Sequence, residues 1–518
     1  MPLKLALPKG RLQPLVSSWL EGWGLEGYDA ASRSYRPTAR LHPQLQLKVF
    51  QERDIPIQVA VGNYDLGICG RDWVEELLVR YPQSPLVRVR ELGFGGRGLY
   101  LACSVLSPFS SVQELAGRPG PVRLVSEYPN LTEDVALRLR LRRFQVFPLW
   151  GAAEVYPPET ADLVVLASAS EADLKDRGLC ALLSLLSTSA CLVAYRPSWE
   201  GKDLGEVLAR FPSSPRQGAV TAGGAPMRVE TAFPPGLPVL GLPDGHQQPP
   251  TLDFLRHAGL PSDSYSRGEK RFLWEGVAVK VLRPQDMPLQ VANGNLDLAI
   301  TGQDWLRDHL CRFPGSPVKE YLPLGFGQVK LVAVVGPEIQ AGSAADLRGA
   351  FPVLRVASEY VNLADKYAGD NRLGPYRIVP TWGASEAFLP EDADLLIENS
   401  QTGRTLARHG LKIIDTLFES TACLIGPREV PAKKREKVEA LVGAFRRGLG
   451  GLCPPWRSTS GWPLRQRPPW AGKRTSLPDT SWAPPCPTSA SCCPWSGRRP
   501  TLFAFLPCPG RVRWRSVC

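Results

Sequence analysis

Residues 394–411 read D-L-L-I-E-N-S-Q-T-G-R-T-L-A-R-H-G-L, and their types and spacing suit the gripping of a sugar phosphate. Leu395 to Ile397 is an apolar run that reads as a strand buried on both faces. It stops at Glu398. Asn399, Ser400, Gln401, Thr402, Gly403, Arg404 and Thr405 then form a polar turn. Leu406 to His409 reads as a short helix that Gly410 ends. Strand, small-residue turn and helix start aim free backbone N–H groups at one point, a cradle for phosphate. Thr402, Thr405 and Arg404 add hydroxyl and guanidinium donors. Glu398, just before the cradle, can accept hydrogen bonds from two sugar hydroxyls. A carboxylate followed by T-G-x-T suits a ribose 5-phosphate better than a nucleoside triphosphate, and the spacing is not that of a P-loop. The competing reading is an ordinary strand-to-helix turn, where Gly and Thr are common.

The elements that must position this turn occur twice. Asp54 matches Asp286, Asp65 matches Asp297, and Asp72 matches Asp304. Gly93-Phe94-Gly95 matches Gly325-Phe326-Gly327, Ser126-Glu127-Tyr128 matches Ser358-Glu359-Tyr360, and Trp150-Gly151-Ala152 matches Trp382-Gly383-Ala384. Asp162 matches Asp394, Gly178 matches Gly410, and Cys191 matches Cys423. Every pair lies 232 residues apart. The period is far too long for a solenoid, so this is a tandem duplication of whole domains. In the first copy Leu3–Leu7, Gln58–Val61, Leu99–Ala102 and Leu163–Leu166 read as strands, and Leu12–Gly22 and Trp73–Arg80 as helices. Alternating strands and helices predict an α/β fold with mostly parallel sheets. The expected organisation is a first copy over 1–211, a linker over 212–236, a second copy over 237–450 and a tail over 451–518. The second copy closes on an amphipathic helix, Ala432 to Leu449.

The net charge of +11 on 518 residues is concentrated in the tail. Residues 451–518 hold ten Lys or Arg against one acid, Asp479, and thirteen Pro, six Trp and six Cys without hydrophobic period. Such a segment cannot bury a core and reads as disordered. The remaining body is near neutral, which gives no reason to expect nucleic-acid binding. Its six cysteines (Cys69, Cys103, Cys180, Cys191, Cys311, Cys423) show no metal-ligand spacing and read as buried apolar residues of a cytoplasmic protein. No apolar run is long enough to span a membrane, and Met1 to Pro8 is too short for a signal-peptide core.

The run E-N-S-Q-T-G-R-T-L at 398–406 resembles the phosphoribosyl-pyrophosphate loop of the ATP phosphoribosyltransferase family. Pro8-Lys9-Gly10-Arg11-Leu12 resembles that family's opening. Asp54-Ile55-Pro56, Asp65-Leu66-Gly67-Ile68-Cys69-Gly70-Arg71-Asp72 and Gly93-Phe94-Gly95 continue the likeness. The resemblance implies tandem copies of a two-lobed unit like a periplasmic binding protein. The chain would cross between lobes near Gly93 and Leu185, and again near Gly325 and Leu417. It implies the short form of the family, which lacks a histidine-sensing domain. It also implies the first step of histidine biosynthesis, in which adenine N1 of ATP displaces pyrophosphate from ribose C1. That reaction needs no strong base; it needs alignment, charge stabilisation and a substrate-bound Mg²⁺.

The implied working parts are divided. The second copy has the cradle, Glu398 through Thr405, with Arg283 matching the family's R-x-x-D-I-P and Lys330 after G-F-G. Its opening, Pro243-Asp244-Gly245-His246, has lost two cations. The first copy keeps Lys9 and Arg11 but has Leu166, Ser170, Glu171 and Asp173 in place of Glu398, Thr402, Gly403 and Thr405, and Gln51 in place of Arg283. Lys9, Arg11, Arg53, Arg71, Asp304 and Glu386 are candidate contacts to ATP or pyrophosphate; a helix-start carboxylate is the other reading of Glu386 and its match Glu154. Trp150 and Trp382 read as packing residues. The expected assembly is a homo-oligomer or an intramolecular pseudo-dimer in which Arg53 or Arg71 is lent to the second cleft. A regulatory subunit resembling histidyl-tRNA synthetase is the implied partner. A pseudo-enzyme or a small-ligand binding module on the same fold is the alternative.

Overall fold

The computed structural model describes residues 2–29, 34–115, 120–212, 233–274 and 276–451. Most of the expected linker and nearly all of the tail lie outside these residues. Each copy has two lobes, each built on one sheet. In the first copy, lobe I orders its strands as Leu45–Gln51, Leu3–Lys9, Leu66–Gly70, Ala190–Tyr195 and Leu86–Glu91. Lobe II orders Leu179–Thr188, Arg97–Ser104, Leu163–Ser168, Val122–Ser126 and Phe144–Pro148. The second copy repeats both lobes, with one added edge strand, Arg271–Trp274, in its lobe I.

The sheets are mixed rather than mostly parallel. Leu3–Lys9 pairs parallel with Leu45–Gln51, but Ala190–Tyr195 runs antiparallel to both its neighbours. In lobe I the strand antiparallel to both its neighbours is the one that returns from lobe II; in lobe II it is Arg97–Ser104, the strand that enters the lobe. The return falls at Ser189, between strands Leu179–Thr188 and Ala190–Tyr195, and at Thr421 in the second copy. It is thus a few residues beyond Leu185 and Leu417. Gln58–Val61, read above as a strand, belongs to the helix Ile55–Ala60 and the residue after it. Pro56 stands in its first turn, where its fixed φ favours a helix and its missing N–H costs nothing. Met287–Ala292 repeats this with Pro288.

The two copies pack crosswise. One core joins Val164, Leu166 and Leu174, from lobe II of the first copy, to Met287, Val291 and Leu306, from lobe I of the second. Its mirror joins Phe50, Ile55 and Val59 from lobe I of the first copy to Phe388, Leu389 and Leu396 from lobe II of the second. Cores continuous across a contact are the mark of an obligate interface. Buried lysines seal each side. Lys48 Nζ lies 2.7 Å from both Glu391 and Asp392. Its match, Lys280, lies 3.0 Å from Glu159 and donates to the Tyr156 carbonyl at 3.1 Å. Burial holds the Lys280 ammonium down to about 8 despite Glu159. The same interface ties one copy's loops to the other's helices: the Trp150 N–H donates to both carboxylate oxygens of Asp286, at 3.2 and 3.1 Å.

Candidate active site

Crosswise packing makes two composite clefts, each between lobe I of one copy and lobe II of the other. In the first, the strand Leu395–Ser400 delivers Glu398 and the turn after it. Gly403 takes a left-handed φ of 69°, which opens the turn before the helix Arg404–Arg408. Its N–H donates to Ser400 Oγ at 3.0 Å, fixing the bend. Thr402, Arg404 and Thr405 are exposed, with their donors available to a ligand. Asn399 donates to the Tyr360 hydroxyl at 2.8 Å, and that hydroxyl donates to the buried Asp304 at 2.7 Å. Asp304 therefore braces the strand beneath the turn. Lys330 is opposite Ser400 on the neighbouring strand and pairs with Glu419 at 3.1 Å, largely in solvent.

Across this cleft stands the first copy's Lys9. Tyr28 fixes the end of its strand by donating to the Pro8 carbonyl at 2.6 Å. Lys9 Nζ lies 3.5 Å from the Tyr35 hydroxyl, and that hydroxyl lies 3.5 Å from Glu386 Oε2 of the second copy. The Tyr35 ring also packs on His409, at 5.1 Å between centroids, just past the phosphate turn. Lys9 and the intact turn, far apart in the chain, thus share one cleft. Gln51 lies against Gly383 of the same cleft, where a Cβ would come within 3.0 Å of its amide.

Glu359, Glu386 and Glu398 meet at the ends of parallel strands, since Ser358 pairs with Ile397 in register. Burial pushes Glu398 well above the usual carboxylate range, and Glu359 and Glu386 push it further. Burial and Glu386 raise Glu359 to about 7. Asp54 closes the back; burial raises it too, while the Trp382 N–H donates to it.

The remaining candidate residues are divided between the two clefts. Asp244 pairs with Arg283 at 3.1 Å, and Arg283 lies against Gly151 of the first copy. Arg283 therefore faces the first copy's lobe II, not the intact turn. Arg53 stacks 4.2 Å over Trp382 and 5.3 Å from Trp73. Arg71 is tied to Glu75 and Glu91, at 3.3 and 2.8 Å, on the first copy's surface. Arg11 is held by the Gly95 carbonyl at 2.9 Å and by Glu52 at 3.3 Å. Trp150 packs on Trp305, 5.8 Å between centroids. Tyr35, Glu359 and Lys48 carried no role in the sequence reading. A lysine amid the apolar run L-Q-L-K-V-F, repeated as V-A-V-K-V-L 232 residues on, is the signal that marks Lys48.

The family model for ATP phosphoribosyltransferase matches residues 51–212 and 283–447, together more than half of the chain. An ATP phosphoribosyltransferase of Sulfolobus acidocaldarius is 34% identical over 218 residues, covering 40% of this chain and 72% of that protein. One from Saccharolobus solfataricus is 34% identical over 194 residues, covering 36% and 62%. A solved ATP phosphoribosyl transferase (HisG:HisZ) complex from Thermotoga maritima is 22% identical with a TM-score of 0.32, covering 40% of this chain and 94% of that one. With both halves matched and relatives at this identity, the chain belongs to the ATP phosphoribosyltransferase family, the pentosyltransferases that join ATP to phosphoribosyl pyrophosphate in the first step of histidine biosynthesis.

Proposed function

We propose that the chain forms phosphoribosyl-ATP at a single composite cleft, made by lobe I of the first copy and lobe II of the second. The observation that supports this is the bridge Lys9–Tyr35–Glu386, which sets the kept cation of one copy beside the kept phosphate turn of the other. In this reading Thr402, Gly403, Arg404 and Thr405 hold the 5′-phosphate, with Asn399, Ser400 and Gln401 shaping the turn. Glu398 holds the ribose hydroxyls. Lys9 and Lys330 meet the phosphates of ATP and the departing pyrophosphate, where fixed cations stabilise developing charge. A Mg²⁺ held chiefly by the substrates' phosphates would offset their charge.

Arg283 has no place in that cleft, because it faces the opposite one. Arg11 and Asp304 act as braces. Arg53 supports the Trp382 loop rather than touching phosphate. The first copy supplies what a neighbouring subunit would, so the full chain works without the regulatory subunit that the resemblance implies. We place the reaction in the cytoplasm: the described cysteines are free, and no described helix is long and apolar enough to cross a membrane. The test supplies the full chain with ATP, phosphoribosyl pyrophosphate and Mg²⁺ and assays phosphoribosyl-ATP. Product that vanishes in Thr402→Ala/Thr405→Ala and falls in Lys9→Ala supports the composite cleft. No product, alone or with a histidyl-tRNA-synthetase-like subunit added, sinks it.

A further inference from the structure

A cleft for two polyanions that collects carboxyl groups needs an explanation. Glu359 and Glu398 leave adjacent parallel strands side by side, and Glu386 joins them from the Trp382-Gly383-Ala384 loop. Asp54 of the first copy reaches the same place, and its Oδ2 is buried without a hydrogen-bond partner. Glu398 has a task in the ribose hydroxyls; Glu359 and Glu386 do not.

The opposite cleft shows what these carboxylates lack. There Glu127, the match of Glu359, sits in the field of Arg53, Arg283 and Arg97, whose positive charges partly offset its burial. Around Glu359 the interacting charges are those of other acids, Glu386, Glu398 and Asp54. The position matching Arg283 is the neutral Gln51. The working cleft therefore lacks the arginine that its twin has in Arg283, and its own cations, Lys9 and Arg53, stand by Tyr35 and Trp382. A buried carboxylate without a cation is costly, and a positive charge on the ligand relieves that cost.

The reaction supplies such a charge. The N1 lone pair forms the new bond to C1′, and the C1′–O bond breaks with its electrons leaving on pyrophosphate. Adenine starts neutral and ends N1-alkylated, with a positive charge shared over N1, C6 and N6 until the N6 proton passes to water. We propose that Glu359, with Glu386 beside it, faces the adenine ring and stabilises the positive charge that the purine acquires as N1 bonds to C1′. This rests on the composite-cleft reading. Its chemistry is differential: the interaction is weak with neutral adenine and strong with the alkylated ring, so it favours the transition state over bound ATP.

The probe is N1-methyl-ATP, which carries the same N1-alkylated, cationic ring while N6 keeps its proton, and a methyl where C1′ would bind. The full chain is titrated calorimetrically with N1-methyl-ATP and with ATP at pH 8, at constant Mg²⁺ and without phosphoribosyl pyrophosphate. Wild type binds the methylated nucleotide about tenfold or more tightly, the size of one pKa unit. Glu359→Gln loses that preference, Glu359→Asp keeps most of it, and Glu127→Gln in the opposite cleft keeps all of it. Equal affinities in wild type, or an unchanged preference in Glu359→Gln, overturn the proposal. So does a Glu359→Gln variant whose main defect is a raised Mg²⁺ requirement, since the carboxylate would then serve a metal. The product assay stands apart: a wild type that makes phosphoribosyl-ATP without preferring the methylated nucleotide keeps the composite cleft and loses only this role.

Discussion

Two turns of the molecule, 168–173 and 400–405, began as the same sequence and now treat an anion in opposite ways. In the second copy Ser400 accepts from the Gly403 N–H, and the hydroxyls of Thr402 and Thr405 face solvent. In the first copy Asp173 stands where Thr405 would be. Its carboxylate accepts from Ser168 Oγ at 2.6 Å, from the Ala169 N–H at 3.3 Å and from Arg177 at 2.8 Å. Ser170 caps the helix by accepting from the Asp173 N–H at 3.1 Å. Despite the cost of its partial burial, these donors hold Asp173 below the usual carboxylate range. The degenerate turn is thus a cradle occupied by its own carboxylate. These internal hydrogen bonds explain why the turn keeps its shape with Asp173 in place of a threonine.

The sharpest break of this comparison is to mutate the two turns alike. Thr402→Ala/Thr405→Ala should lower product formation by about 10²-fold or more, the scale of losing positioned transition-state donors. Ser170→Ala/Asp173→Ala should leave the rate within about twofold, a surface-scale effect. A comparable loss from the second pair would return the first turn to the chemistry. Next come the interface lysines. Lys48→Ala leaves Asp392, which is 2% exposed, with the Tyr64 hydroxyl at 3.1 Å but without its cation, and should cost about 3–5 kcal/mol of stability by denaturant unfolding. Lys280→Ala leaves the less buried Glu159 with Arg271 still beside it and should cost less. An equal cost would show that the two sides are more alike than their partners suggest.

Lys9→Ala should lower kcat/KM about tenfold, the value of one well-placed charge contact of ~1.4 kcal/mol. Asp244→Ala, the matching change in the other cleft, should not lower it. The smallest effect is one of pH. Glu359 is raised to about 7 in the fold, by burial first and Glu386 second, so ionising it opposes folding. Its stability contribution is full below the ordinary glutamate pKa and is lost as pH rises toward 7. Glu359→Gln should therefore raise Tm by a few degrees at pH 8 and leave it unchanged at pH 4. A shift at both values would mean that packing, not charge, is responsible.

Much of this was legible before any coordinates. The 232-residue register fixes the duplication, and the turn at 398–405 and its decay at 166–173 can be read residue by residue. The crossings are marked by Gly93 and Gly325. What periodicity misread was Gln58–Val61: an apolar run of that length fits a strand or a buried helix, and Pro56 in the first turn of Ile55–Ala60 decides. Which lobe meets which was hidden, because it depends on surfaces that become complementary only after each lobe has folded. The destinations of Arg53, Arg71 and Arg283 were therefore hidden as well. Once the crosswise packing is known, Lys9 and the turn at 400–405 line one cleft, joined through Tyr35 to Glu386 and His409.

The peptide link between the halves changes what mutation can do. In an ordinary two-fold dimer every substitution is made twice, once at each cleft, so a change that harms chemistry harms all of it. Here each codon specifies one side only. Asp244 could arise opposite a retained Lys9, and Asp173 opposite a retained Thr405, because neither change was copied across the axis. Both losses fell on the same cleft, and the other kept its cation and its turn. Inheritance in a single reading frame has let two once-equivalent clefts diverge, one keeping its lysine and its Thr-Gly turn and the other replacing both.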